Sequence, residues 1–132
     1  MKIIDKIAWI AIKNKTLLST KSYGKKVFYI PGGKREQEES DADTLLREIA
    51  EELDVYLIQS TLNFVGIFEA QADGHEEGTV VRMTCYTGAY TGVLKASSEI
   101  ECFEWLRYAD KDKISEVDKL IFDFLYDQDL ID

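Results

Sequence analysis

The sequence predicts an α/β sandwich built on a mixed β-sheet, with one helix midway along the chain and another near its end. Two stretches, residues 41–53 and residues 115–125, repeat their apolar side chains at helical spacing. β-branched and aromatic runs lie on both sides of the first, and Gly, Asn and Asp clusters separate those runs. The 132 residues suffice for one core and are too few for two, so residues 1–132 are read as a single domain. No repeat, linker or low-complexity segment interrupts them.

Residues 3–13, IIDKIAWIAIK, should form one long strand. Asn14 and Lys15 turn the chain, residues 17–20 form a second strand, and residues 22–26 a second turn. A strand over residues 27–30 is expected to break into a tight loop at Pro31, Gly32, Gly33 and Lys34. Proline removes a ladder donor, and glycine permits backbone angles closed to other residues. Such a loop can bring its backbone against a ligand. Ser40 or Asp41 can then cap the first helix, whose packing face on a helical wheel comprises Ala42, Leu46, Ile49, Ala50 and Leu53.

Beyond the helix, residues 55–58 are a short apolar segment and residues 62–71 a longer strand. Asp73 and Gly74, followed by Glu77 and Gly78, close a hairpin to a strand over 79–89. There Val81, Met83 and Cys85 alternate with Arg82, Thr84 and Tyr86, which predicts one buried face. Residues 90–92 turn, residues 95–99 form a polar loop, and residues 100–106 a strand. The last helix starts near Ser115, with Val117, Leu120, Ile121, Phe124 and Leu125 at helical spacing and Ser115 and Asp118 in a capping-box pattern.

A net charge of −9 argues against a protein that coats nucleic acid. Its distribution is more informative: residues 1–35 hold nine of the sixteen basic residues and one acid, Asp5. A basic first quarter beside acidic remaining sequence suits a polyanionic substrate bridged by metal. Charge enters the N-terminal segment too early for a signal peptide, and no apolar run approaches membrane-span length. Cys85 and Cys102 sit in strand-like apolar surroundings and read as small buried hydrophobes, so a reducing cytoplasm is expected.

The helix over 41–53 carries the chemistry. Glu48, Glu51 and Glu52 project together on the side opposite its packing face, because residues three and four apart are neighbours. Three like charges repel, and a divalent cation removes that repulsion. Hard cations such as Mg²⁺ favour carboxylate oxygens and complete their shells with water and substrate phosphates.

Residues 33–55, GKREQEESDADTLLREIAEELDV, resemble the signature of the Nudix hydrolases, G-x5-E-x7-R-E-U-x-E-E-x-G-U with U aliphatic. Gly33, Glu39, Arg47, Glu48, Ile49, Glu51, Glu52 and Val55 match, eight of the nine defined positions. The departure is Asp54, where the family has glycine. That site favours a left-handed backbone, which Asp tolerates better than most residues. The order of elements also resembles the Nudix fold, in which the signature helix and the C-terminal helix cover opposite faces of a mixed sheet.

The resemblance implies water attack at phosphorus in a nucleoside diphosphate linked to a group X. Glu48, Glu51 and Glu52 would hold Mg²⁺, with Mn²⁺ as the alternative, and the Gly32 carbonyl would join them. Glu48 or Glu52 would orient or deprotonate the water, Arg47 and Glu39 would form the structural pair tying loop to helix, and Lys34 would touch a phosphate. A further carboxylate from a late loop is implied; Glu99 is preferred over Glu101, because Glu99, Ile100 and Trp105 resemble the family's late E-U…W pattern. Glu69 is a weaker candidate, and His75, the one histidine, reads as a solvated turn residue. Phe28 and Tyr29, with Trp9, Phe68 and Trp105, are the aromatics available to stack on a base.

The subclass is reached by elimination. A proline about fifteen residues past the signature would suggest ADP-ribose, and a tyrosine slightly farther would suggest dinucleoside polyphosphates; Ala70, Gln71 and Ala72 stand there instead. What remains resembles the compact MutT-like nucleoside triphosphate pyrophosphatases, acting on a (d)NTP or modified dNTP. The expected partner is thus a small nucleotide, not a nucleic-acid polymer or membrane, on a monomer or homodimer. The rival is a non-catalytic nucleotide-binding or regulatory domain of the same fold, against which the presence of all three helix glutamates argues.

Overall fold

The computed structural model describes residues 2–72 and 74–132. Its strands are β1 (Lys2–Trp9), β2 (Ile12–Lys13), β3 (Thr16–Ser22), β4 (Gly32–Lys34), β5 (Tyr56–Leu57), β6 (Asn63–Gln71), β7 (Thr79–Thr87), β8 (Tyr90–Thr91) and β9 (Ile100–Leu106); its helices are α1 (Asp41–Leu53) and α2 (Glu116–Asp127). A mixed sheet in the order β4-β1-β7-β6 is the centre. Its β1–β7 ladder is parallel, and the β1–β4 and β6–β7 ladders are antiparallel. A second, antiparallel sheet has the order β2-β3-β9, and β5 pairs with β8.

Alternation along β1 divides the core. Ile7 and Trp9 face α1 and pack with Leu45, Ile49 and Leu53, whereas Ala8 joins Val81, Met83 and Cys85 and the α2 residues Ile121, Phe122 and Leu125. One helix therefore covers each side, giving the expected α/β/α sandwich with a mixed sheet. The two cysteines are free thiols, Cys85 buried and Cys102 half-buried. No helix among the described residues is long and apolar enough to cross a membrane.

Several local expectations are corrected. The single strand over 3–13 is two, because Ile10 and Ala11 carry the chain from the central sheet into the second one. Residues 27–30 make only isolated bridges, at Phe28 and Tyr29, and the glycines expected to form a loop are strand β4, a short edge against β1. Gly32 tolerates that closeness because it lacks a side chain: a Cβ there would lie 2.0 Å from the Ile7 carbonyl oxygen, at a φ of +147°. The expected turn at 90–92 instead contributes β8. Asp73, in the predicted hairpin turn, lies outside the described residues.

α1 begins with Ser40, whose hydroxyl accepts from the Asp43 N–H while the Asp43 carboxylate accepts from the Ser40 N–H. It ends at Asp54 in the left-handed conformation, φ 56° and ψ 34°. Its buried line is rotated from the predicted face: Leu45 and Ile49 are fully buried, whereas Ala42, Leu46 and Ala50 are half-buried. That rotation carries Glu52 inward. In α2 the Ser115 and Asp118 capping box does not form; Asp118 is fully buried and accepts from the Ile30 N–H at 2.8 Å. Leu120 is exposed, and Phe122, one helical position past Ile121, fills the core.

Candidate functional site

The three helix glutamates occupy three different environments. Glu52 is buried, with its Oε1 accepting the Gly32 N–H at 3.2 Å. Burial above all pushes it up to about 8; the Gly32 N–H and Lys6 oppose the shift, and Glu48 and Glu99 add to it by repulsion. Glu48 is half-buried and is also raised by burial, against the pull of Arg47. Glu51 is exposed, its carboxylate 3.6 Å from Arg47.

Glu48 and Glu52 open onto a cavity of about 440 Å³ between β1, β4, the end of α1 and the start of α2. Glu99 lines the same cavity. Its delivery there has a local cause: the Lys95 and Ser97 N–H groups cap the last α1 carbonyls, Leu53 and Glu52, at 2.9 Å each, so the loop before β9 docks on the helix end. Glu101 is two residues on and points elsewhere, ion-paired with Lys21. Glu69 pairs with Arg82.

Arg47 ties the loop to the helix. Its Nε and Nη2 donate to Glu39 at 2.8 Å each, Nη1 donates to Glu48 at 2.8 Å, and Nη2 also reaches the Lys34 carbonyl at 3.2 Å. Glu39 is held down at about 2, chiefly by Arg47. Gly33 sits directly beneath Glu48: a Cβ there would lie 2.3 Å from the Glu48 carboxyl carbon. The glycine pair thus has two separate reasons, backbone contact with β1 at Gly32 and room for a carboxylate at Gly33.

The stacking candidates divide. Tyr29 lines the cavity, but Phe28, expected to stack on a base, is instead buried in the α2-side core and does not reach the cavity. Trp9 is buried with its indole N–H donating to the Gly88 carbonyl, and Phe68 packs edge-on against Phe124. Trp105 lies on a separate shallow surface with Trp9 and Tyr90. Exposed His75 stands at the rim of the first cavity. Sequence reasoning missed Lys6 and Asp118, which also line it. Lys6 is detectable as a charge at an inward strand position between Ile4 and Ala8; Asp118 matches a helix-cap pattern in the sequence and so gives no sign of facing the cavity.

Among the described residues no three His, Cys, Asp or Glu side chains converge into a ready-made metal cage. The donor set nevertheless fits a hard divalent cation. Glu48 and Glu52 line one partly dry cavity, both raised chiefly by burial, with Glu48 adding to the shift at Glu52 and Glu51 and Glu99 adding to that at Glu48, and a cation there would favour the charged form of both.

A family model described as NUDIX domain matches residues 6–124. Similar solved structures include the E. coli ORF135 protein, at 21% identity over 96% of this chain and 91% of that one, with a TM-score of 0.74. A MutT NUDIX hydrolase from Burkholderia pseudomallei is 16% identical over 93% and 98%, with a TM-score of 0.75. The MutT protein from Methanosarcina mazei Go1 is 15% identical over 97% and 96%, with a TM-score of 0.77. At these identities the likeness establishes the fold. No curated protein matches the chain.

Proposed function

The chain belongs to the Nudix hydrolase family, and on that premise we propose that it hydrolyses the phosphoanhydride of a nucleoside diphosphate linked to X, with Glu48 and Glu52 as the principal ligands of Mg²⁺ or Mn²⁺. The observation that carries this reading is the placement of two carboxylates, Glu48 and the buried Glu52, with Glu99 beside them, on one cavity of nucleotide-compatible size. A bound cation there supplies charge neutralisation at phosphorus and a more acidic water. Glu51, exposed one position from Glu52, would complete the ligand set, together with the Gly32 carbonyl.

The remaining residues position and enclose. Arg47 fixes Glu48 and the loop carrying Lys34, so that both reach a substrate from a preset backbone. Lys34 binds phosphate, Tyr29 offers a ring at the cavity wall, and Glu99 approaches from the loop docked on α1. Glu48 or Glu52 holds the attacking water. The substrate we favour is a (d)NTP or modified dNTP, released as nucleoside monophosphate and pyrophosphate. The free thiols of Cys85 and Cys102 support a cytoplasmic setting.

The test is chromatography of products after incubation with Mg²⁺ and dNTPs, 8-oxo-dGTP, ADP-ribose, dinucleoside polyphosphates or nucleotide sugars. Selective cleavage that falls at least ~10²-fold in Glu52→Gln is expected. Cleavage of none of these by folded protein that still binds a nucleotide would replace the reading with a binding domain.

A further inference from the structure

Lys6 and Lys34 are direct cross-strand partners in the β1–β4 ladder, and both line the cavity. Like charges placed opposite each other on one face of an antiparallel pair destabilise it. The arrangement is costlier at Lys6, which occupies an inward position between Ile4 and Ala8, both of them packed with the α2-side core, and whose other strand neighbour is the buried Met83. Its ammonium forms no salt bridge among the described residues; the contact it makes is with the Tyr29 ring, 5.7 Å from the centroid.

Other features of the molecule carry less. The shallow surface around Trp9, Tyr90 and Trp105 has nothing that identifies an occupant. The outer edge of β6 exposes Phe64 and Ile67 and likewise shows no partner. The lysine pair differs, because two cations facing one cavity beside candidate metal carboxylates define the chemistry of what fits between them.

We propose that Lys6 is a substrate-binding residue which, with Lys34, forms a two-lysine clamp for the diphosphate of the substrate. The proposal rests on the function proposed above, which puts a phosphoanhydride beside Glu48 and Glu52. Lys34 stands at the exposed edge of the cavity, and Lys6 stands deeper, within electrostatic reach of Glu48, Glu52 and Asp118. A diphosphate presents adjacent negative groups and satisfies both ammonium groups at once, turning a repelling pair into a bridged one. A single phosphate engages one of them. The clamp therefore selects diphosphate-containing ligands over monophosphates by charge spacing and needs no contact with the base.

The experiment uses inorganic pyrophosphate with Mg²⁺ as a base-free probe, inorganic phosphate as the comparison, and calorimetric titration of the full chain. Wild type should bind pyrophosphate, and Lys6→Met should weaken that binding about tenfold while leaving phosphate binding within about twofold. Without ligand, circular dichroism should show Lys6→Met folded, since the variant removes the repulsion from Lys34 along with the attraction to Asp118, Glu52 and Glu48. Lys6→Arg keeps the charge and should retain most of the affinity, which separates loss of the cation from a packing defect. Equal pyrophosphate binding by wild type and Lys6→Met would overturn the clamp and leave the hydrolase reading intact. Absence of pyrophosphate binding by wild type would also overturn it, and the cleavage panel would then decide the hydrolase reading separately.

Discussion

Arg47 holds Glu39 through two hydrogen bonds of equal length, Nε to Oε2 and Nη2 to Oε1, both 2.8 Å. The remaining guanidinium nitrogen, Nη1, holds Glu48. One side chain thereby fixes the loop and a candidate ligand together.

Arg47→Lys removes the planar fork while keeping the charge. Turnover should fall about tenfold or more, through misplacement of Glu48, and measurement of kcat and KM across Mg²⁺ concentrations checks it. Unchanged kinetics would show that the pair is ornamental to the reaction.

The same pair sets an acid limit. Glu39 lies at about 2 in the folded protein against an ordinary 4.5, so its folded value is depressed. Its stabilising contribution is complete above about pH 4.5, shrinks as pH falls, and is gone below about 2. Denaturant unfolding of wild type and Glu39→Gln should therefore converge as pH falls through that window. Parallel curves would contradict the assignment.

Gly32 and Gly33 should respond differently to alanine. At Gly33 the new methyl meets the Glu48 side chain, 2.3 Å from its carboxyl carbon, and that side chain can move. Gly33→Ala should fold but lose Mg²⁺-dependent turnover by about a hundredfold. At Gly32 the methyl meets backbone, 2.0 Å from the Ile7 carbonyl oxygen, where nothing yields without breaking the β1–β4 ladder. Gly32→Ala should fail to accumulate as folded protein, as read by circular dichroism and size exclusion.

Asp54 marks the one departure from the family signature, and its backbone is left-handed as that site requires. Asp54→Gly should raise unfolding free energy by roughly 0.5–1 kcal/mol, since glycine adopts this conformation without the steric cost. The urea midpoint reports it, and kcat should not change. A lower midpoint would mean that Asp54 makes a contribution beyond termination of the helix.

The regular elements were legible because their signals are local. The capping residue Ser40, the turn at Asn14 and Lys15, and the strand over 100–106 each follow from short-range chemistry. What escaped depends on neighbours distant in sequence. Glu52 belongs to a polar side on a helical wheel, yet β4 crosses over it and its carboxylate becomes buried. Phe28 resembles a stacking surface in sequence and is claimed by the α2-side core, because its backbone bridges to Ile114. Asp118 resembles a cap and instead receives the Ile30 N–H across the fold. Lys6 was visible as a charge within an apolar strand, but only the register opposite Lys34 shows its setting.

Glu48 and Glu52 are proposed to hold a divalent cation where both line the cavity. The most direct measurement is Mn²⁺ titration by electron paramagnetic resonance for wild type, Glu48→Gln and Glu52→Gln, with circular dichroism verifying the fold of each. Saturable binding by wild type is expected, weakened at least about tenfold in each variant, with metal-free Glu52→Gln at least as stable as wild type because it removes a carboxyl whose ionisation burial opposes. Undiminished Mn²⁺ binding by folded Glu48→Gln and Glu52→Gln would contradict it.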